Sequence, residues 1–169
     1  KPIGLHGVYR DITERRNAEE ALPPSEEKLR VMFESMTDAV VLTDLNGNIL
    51  DINKSALKTF GYQKDEVIGH NGLDIVAFED KNRALKNLAT SMYGEEIKGI
   101  QEYRILDKNG RVVDTEITVN RLSDSDGKPS GFIVVIRDVT AKKVAEEELK
   151  ASESRMRSLF QVSPDVIMN

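Results

Sequence analysis

The sequence predicts an α+β domain in which helices cover one face of a five-stranded antiparallel sheet. Three observations predict this fold. Two pairs of short apolar runs are each joined by a turn that contains Asn-Gly, helical patterns lie between the two pairs, and residues 131–136 form a nearly continuous apolar run. The order strand, strand, helices, strand, strand, strand is typical of helices packed against one side of a single sheet.

The first hairpin is predicted from residues 39–43 and 48–52, two apolar runs separated by Asp44-Leu45-Asn46-Gly47. An Asn-Gly pair between two such runs favours a tight turn, because both residues tolerate positive φ. We therefore expect these runs to form two adjacent antiparallel strands.

Two helices are predicted after this hairpin. Asn53 is placed to cap a short helix over residues 54–60, because its side-chain oxygen can accept from free N–H groups of the first turn, and Gly61 ends that helix. A longer helix is predicted over residues 80–93, where apolar side chains recur at i, i+3, i+4 and i+7 and are expected to face the sheet. These side chains are Leu85, Leu88, Ala89 and Met92.

The second hairpin is predicted from residues 101–106 and 111–122, joined by Asp107-Lys108-Asn109-Gly110. Apolar and polar residues alternate along its second strand, so one face should be buried and the other hydrated. Residues 131–136 follow as the fifth strand. Their nearly continuous apolar character indicates a central strand that is covered on both faces.

An internal repeat sets the expected domain organisation. Residues 9–41 align without gaps onto residues 136–168, with about a third of the aligned pairs identical. We therefore expect residues 1–24 to be the tail strand and linker of a preceding repeat and residues 25–140 to be one complete domain. Residues 141–162 are expected to form an amphipathic connector helix, and residues 163–169 the start of a following repeat.

Composition excludes several classes of function. The sequence has no cysteine, which excludes disulfides, thiolate metal sites and cysteinyl adducts to a chromophore. Its net charge is -5, with acidic and basic residues interleaved, so no basic surface for nucleic acid is expected. No apolar run is long enough to cross a bilayer. We expect a soluble, cytoplasmic module without membrane contact, although a longer parent protein can carry an anchor elsewhere.

From about residue 27 to residue 140 the sequence resembles a PAS sensory domain, including its C-terminal PAC motif. The residues that carry the resemblance are Asp44 to Asn53 (DLNGNILDIN), Phe60-Gly61-Tyr62, Glu66-Val67-Ile68-Gly69, Glu79-Asp80, Asp107-Lys108-Asn109-Gly110, Gly131-Phe132 and Asp138-Val139-Thr140. The resemblance implies the sheet order 2-1-5-4-3. It also implies a sensory or relay role in a multi-PAS signal-transduction protein, above all a histidine kinase.

The resemblance places a small ligand between the long helix and the inner face of the sheet. The candidate lining residues are Leu57, Phe60, Leu85, Leu88, Met92, Tyr103, Ile105, Thr115 and Ile117. The alternative is that these residues are simply core, because apolar residues at helical and strand spacing require no ligand to explain them. No metal or cofactor is expected, and the nature of any small ligand is left open.

The connector helix carries a short heptad pattern, since Ala145, Leu149, Ser152, Met156 and Leu159 are spaced by 4, 3, 4 and 3 residues. The resemblance implies a dimeric signalling helix and therefore a homodimer, with neighbouring PAS repeats and an output kinase domain as further partners in the same chain. A monomeric amphipathic helix is the alternative. Thr140 is expected to cap this helix, and Asp138 and Thr140 are expected to couple it to the sheet.

The upstream copy of this helix is interrupted by Pro23-Pro24, because proline inside a helix removes a donor and clashes with the preceding turn. Ser25 is then expected to cap a new helix that continues through Leu29, Phe33 and Met36. A rigid, continuous helix across the upstream junction is therefore not expected.

No catalytic site is predicted in this chain. The two histidines, His6 and His70, lie outside the long helix, where a haem-binding PAS domain commonly presents its axial ligand, and neither lies in a phosphoacceptor motif. Any kinase activity is expected in another part of a longer protein. Two other roles are left open: a ligand-free scaffold for dimerisation and spacing, and a redox sensor that holds haem or flavin.

Overall fold

The computed structural model describes residues 23–167. The chain divides into two compact units between Met36 and Thr37, and each unit is described by itself. The predicted tail strand within residues 1–12 and His6 lie outside the described residues.

The described part of the first unit is one helix, α1 (Pro24–Ser35). It begins two residues earlier than predicted, with Pro24 as its first helical residue, so Ser25 is not its N-cap. The Pro23 carbonyl accepts from the Glu26 and Glu27 amides at 2.9 and 3.2 Å. Proline suits this first position because its φ is already helical and its missing N–H would have no intrahelical partner.

The second unit contains the sheet and the remaining helices. Its elements, in order, are β1 (Ala39–Thr43), β2 (Ile49–Ile52), α2 (Lys54–Phe60), α3 (Lys64–Val67), a 3-10 turn (Gly72–Ile75), α4 (Phe78–Met92), β3 (Gln101–Leu106), β4 (Val112–Ser123), β5 (Pro129–Asp138) and α5 (Thr140–Ile167). None of the helices within residues 23–167 is both long and apolar enough to cross a bilayer.

The five strands form one antiparallel sheet in the order β2-β1-β5-β4-β3, which confirms the predicted fold class and strand order. β5 lies at the centre, between β1 and β4. Val41 pairs with Val134 on one side of it, and Ile117 pairs with Ile136 on the other. Glycine is required at position 131, because a Cβ atom there would lie 2.0 Å from the carbonyl oxygen of Thr43 on β1.

Asn53 caps α2, as predicted, and also holds β1 in place. Its Oδ1 accepts from the Ala56 amide at 3.0 Å and from the Val40 amide at 2.9 Å, while its Nδ2 donates to the Asp38 carbonyl at 3.1 Å. Asn53 is completely buried. A cap chosen for one helix therefore also satisfies backbone groups about a dozen residues earlier in the chain.

The predicted buried face of the long helix is wrong for Leu85, Ala89 and Met92, which are exposed, whereas Leu88 is half-buried. Leu85 and Met92 are 55% and 45% exposed, whereas Ala84 and Ser91 are buried. Polar contacts fix this rotation, because the Asp80 carboxylate accepts from the Arg104 amide at 2.9 Å and from its Nε at 3.0 Å. Asp80 and Ala84 lie one turn apart on the same face, so anchoring one of them to β3 turns the other toward the sheet.

Helix α5 is longer than the predicted connector, since it continues through Ile167. Residues 163–167 therefore extend the helix and do not form the strand expected at the start of a following repeat. A helix satisfies its backbone groups within itself, whereas a strand needs a neighbour. No strand in the described part of the chain pairs with these residues.

Candidate functional site

A cavity of about 150 Å³ lies between the inner face of the sheet and the helices that cover it. All five strands contribute inward-pointing side chains, most of them apolar, and α4 contributes four residues. The strand residues are Val41, Thr43, Ile49, Ile52, Gln101, Tyr103, Ile105, Ile117, Val119, Phe132, Val134 and Ile136, and those of α4 are Ala84, Asn87, Leu88 and Ser91. On the α4 side, the small Ala84 and Ser91 side chains leave part of this space unfilled.

Five of the nine predicted lining residues lie on the cavity wall: Phe60, Leu88, Tyr103, Ile105 and Ile117. The other four, Leu57, Leu85, Met92 and Thr115, do not line it. Whether a ligand occupies the cavity stays a prediction.

Leu85 and Met92 point away from the cavity because α4 is rotated as described above. Leu57 is half-buried and packs against the core outside the cavity. Thr115 is fully buried on the inner face, and its hydroxyl donates to the Tyr103 carbonyl at 2.7 Å. Its polar atom thus already has a partner in the backbone of β3.

The polar part of the cavity wall was not predicted from the sequence. Asn87 Nδ2 donates to the Tyr103 hydroxyl at 2.6 Å and to Gln101 Oε1 at 3.3 Å. Tyr103 has a second polar neighbour, because the Arg83 guanidinium lies 4.4 Å from the centre of its ring. Asn87 lies one turn from Ala84 and therefore on the same face of α4. Its place on the cavity wall could be predicted only if the small residues of α4 were known to face the sheet.

At the junction of the sheet and α5, Asp138 and Thr140 are joined to different partners. Asp138 Oδ1 accepts from the Thr140 amide at 2.9 Å, and Thr140 Oγ1 accepts from the Asp114 amide of β4 at 3.1 Å. The predicted N-cap role of Thr140 is wrong, because Thr140 is already the first helical residue and its hydroxyl is used by β4. The partner of the Thr140 hydroxyl is Asp114, 26 residues earlier in the chain, and no local sequence pattern indicates this contact.

Asp114 also accepts a backbone hydrogen bond from the residue that precedes α5. Its carbonyl accepts from the Val139 amide at 2.9 Å, and the Val139 carbonyl accepts from the Lys143 amide at 2.9 Å. One residue of β4 is therefore hydrogen-bonded to the two residues that connect β5 to α5. This geometry attaches the start of the helix to the sheet without any intervening loop.

Ion pairs reinforce the same junction. Lys143 Nζ lies 3.0 Å from Glu102 Oε2 and 3.9 Å from Asp114 Oδ1, and Lys142 Nζ lies 3.5 Å from Glu116 Oε1. The hydrogen bond to Glu102 raises the pKa of Lys143, and the same bond lowers the pKa of Glu102. Both groups are therefore charged near neutral pH.

The cavity offers no fit for haem or flavin in its present shape. Pockets for drug-sized ligands occupy about 300–1,000 Å³, well above the volume found here. His70 is exposed, and its backbone bonds to Ile49 and Val67 hold it in a loop away from the cavity wall. Within residues 23–167, no three acidic or histidine side chains are grouped to hold a metal ion.

Comparisons with known proteins agree with this architecture. The chain is 29% identical over 159 residues to sporulation kinase E of Bacillus subtilis (strain 168), with 94% of the chain and 20% of that protein covered. It is 27% identical over 164 residues to the cell-division control histidine kinase PdhS of Brucella anthropi, covering 90% and 15% respectively. The chain thus spans a fifth or less of the length of these two relatives.

A solved structure shows the same fold. The PAS domain of a protein from Colwellia psychrerythraea superposes with a TM-score of 0.62 at 25% identity, covering 68% of this chain and 97% of that one. The PAS fold family itself matches residues 27–139, which include all five strands and the helices that line the cavity. The chain therefore belongs to the PAS family.

Proposed function

We propose that this PAS domain is a sensory or relay module of a larger signal-transduction protein, in which the state of the cavity is passed to helix α5. The observation that carries the proposal is the position of β3 and β4. These two strands form one wall of the cavity with their inner faces and hold the start of α5 with their outer faces.

Alternation along the strands produces this double contact. Tyr103 and Ile117 point into the cavity, while their sequence neighbours Glu102 and Glu116 point to the other face and pair with lysines of α5. Successive side chains of a strand always point to opposite faces. A ligand that displaces the inner side chains by a fraction of an ångström therefore also moves the outer ones, and the helix attached to them.

Toluene is a suitable probe, because an apolar cavity of about 150 Å³ accepts a benzene-sized molecule. In the ¹⁵N-labelled chain, we expect toluene to shift amide resonances at Tyr103 and Ile117 and also at Lys142 and Lys143. An Ala84→Leu variant, which fills the cavity from α4, is the control and should lose both sets of shifts. Shifts restricted to the cavity wall would show that the sheet does not relay occupancy to α5.

The second part of the proposal is a homodimer through α5. Leu149, Met156 and Leu159 are 60%, 55% and 72% exposed and follow the heptad spacing along the helix. Such a stripe is buried when two parallel helices pair. In sedimentation experiments we expect a dimer that Leu149→Lys dissociates, while Ala151→Lys, which adds the same charge off the stripe, leaves it intact. A chain that is monomeric before substitution would contradict this part.

The larger protein proposed here is a histidine kinase, and the kinase activity lies outside this chain. This rests on the names of the relatives, two of which are kinases. We place the domain in the cytoplasm with its neighbouring PAS repeats. The alternatives are a ligand-free scaffold and a haem or flavin sensor, the second of which needs a larger cavity than the one described here. An absorption spectrum followed by mass spectrometry of a denatured extract distinguishes both from a small colourless ligand.

A further inference from the structure

A second cavity, of about 110 Å³, adjoins the first at the end of α4. The two cavities share four lining residues, Ser91, Ile97, Val119 and Phe132, which form the boundary between them. The first is almost entirely apolar. The second differs in chemistry, because its remaining lining residues are Glu95, Glu96, Asn120 and Arg121.

The three charged side chains of this second cavity do not pair with one another. Within the part of the chain that the structure describes, Arg121, Glu95 and Glu96 form no ion pair and no side-chain hydrogen bond. The Arg121 guanidinium lies against the backbone of Gly94, where a Cβ atom would be 3.2 Å from its Nη1. Opposite charges thus line one small pocket, and all three charged side chains are exposed to solvent.

This arrangement suits a head group that carries both charges. A carboxylate is the natural partner of a guanidinium, which can donate two parallel hydrogen bonds to it. An ammonium group is favoured beside Glu95 and Glu96, and also by the C-terminal end of α4, whose last carbonyls carry partial negative charge. A purely anionic head would meet two carboxylates, and a purely cationic head would meet the guanidinium.

We propose that the ligand is a free apolar α-amino acid, or a zwitterion of that shape, with its side chain in the apolar cavity and its charged head between Arg121 and the two glutamates. This inference rests on the proposed ligand-sensing function and specifies its ligand class. The apolar cavity takes a benzene-sized group, which corresponds to the side chain of phenylalanine or leucine. The small, buried Ser91 stands at the boundary that such a molecule must cross.

The test compares four probes that share one apolar body: toluene, 3-phenylpropionate, phenethylamine and L-phenylalanine. Binding to the 169-residue chain is measured by calorimetry or by amide shifts. We expect L-phenylalanine to bind at least about tenfold more tightly than either singly charged probe, since each charged hydrogen bond contributes about that factor or more. Equal affinities for L-phenylalanine and 3-phenylpropionate would overturn the proposal, because the ammonium group would then not be recognised.

Variants separate the head site from the apolar site. Arg121→Gln should reduce L-phenylalanine affinity about tenfold to the level of phenethylamine and leave toluene binding unchanged. Arg155→Gln on α5 removes the same charge far from either cavity and should change nothing. Ser91→Leu should block L-phenylalanine by closing the boundary.

The outcomes also distinguish this inference from the function on which it rests. One outcome is that toluene binds and that L-phenylalanine binds no more tightly than toluene, both in the original chain and in Arg121→Gln. In that case the amino-acid assignment is wrong and the apolar ligand site stands. If none of the four probes binds, both the assignment and the proposed ligand-sensing function are wrong.

Discussion

Substitution of Thr140 by valine tests the junction between sheet and helix directly. Valine has nearly the shape of threonine but lacks the hydroxyl, so the Asp114 amide loses its acceptor at 3.1 Å. The Asp138 carboxylate still accepts from the backbone amide of residue 140, because that bond does not involve the substituted side chain. The substitution therefore removes one defined hydrogen bond and leaves its neighbour as an internal reference.

The expected magnitude follows from that single bond. A neutral intramolecular hydrogen bond contributes about 1 kcal/mol net, which is small beside the total stability of about 5–15 kcal/mol of a domain. The variant should fold. Local opening at Asp114 should become easier by the same amount, which corresponds to roughly fivefold faster amide exchange.

Hydrogen exchange measured residue by residue is the assay. We expect the Asp114 amide to exchange about fivefold faster in Thr140→Val and the amide of residue 140 to be unchanged. Thr118→Val on β4 is the matched control, because the Thr118 hydroxyl forms no hydrogen bond within the described residues. Equal exchange rates at Asp114 in both variants would refute the reasoning. If the junction also transmits occupancy, the toluene-induced shift at Lys143 should be smaller in Thr140→Val.

Three further predictions concern the scaffold of the site. Asn53→Ala should lower the free energy of unfolding by roughly 3 kcal/mol in urea denaturation, because it removes a cap and leaves buried backbone groups unpaired, whereas exposed Asn82→Ala should change it little. Hydrogen bonds from Arg104 lower the pKa of Asp80. The ionised Asp80 carboxylate therefore stabilises the folded domain above about pH 4, and this stabilisation is lost as pH falls toward the lowered pKa. Asp80→Asn should thus destabilise the domain at pH 7, with a difference that narrows at pH 3; a constant difference would contradict this. Gly131→Ala should lower the free energy of unfolding by about 3 kcal/mol or more, or prevent folding, because the added Cβ overlaps a β1 carbonyl oxygen. The melting temperature is the measurement, and a near-normal value would contradict the close approach.

Features that depend on a few adjacent residues were predictable from the sequence. The bounds of β1, α2 and β3 match the predicted ones, because Asn-Gly turns, an asparagine cap and a closing glycine each act within a few residues of the chain. The central position of β5 also followed from its apolar composition. In these cases, the information and its structural effect lie in the same segment.

The rotation of α4 could not be predicted in this way. The face with Leu85 and Met92 and the face with Ala84 and Ser91 have the same helical spacing, and larger apolar side chains favoured the first. The structure buries the second, because Asp80 is held by an arginine 24 residues later in the chain. The cavity exists as a consequence, since small residues then face the sheet.

The fold class, the strand order implied by the family resemblance, the two Asn-Gly turns and the Asn53 cap could therefore be predicted from the sequence. Only the tertiary structure reveals which face of α4 lines the cavity, that Thr140 bonds to β4 instead of capping its own helix, and that Arg121, Glu95 and Glu96 line one pocket beside the cavity. The physical reason is common to all three. Each depends on a contact between residues that are distant in the chain, and local periodicity carries no information about which distant groups will meet.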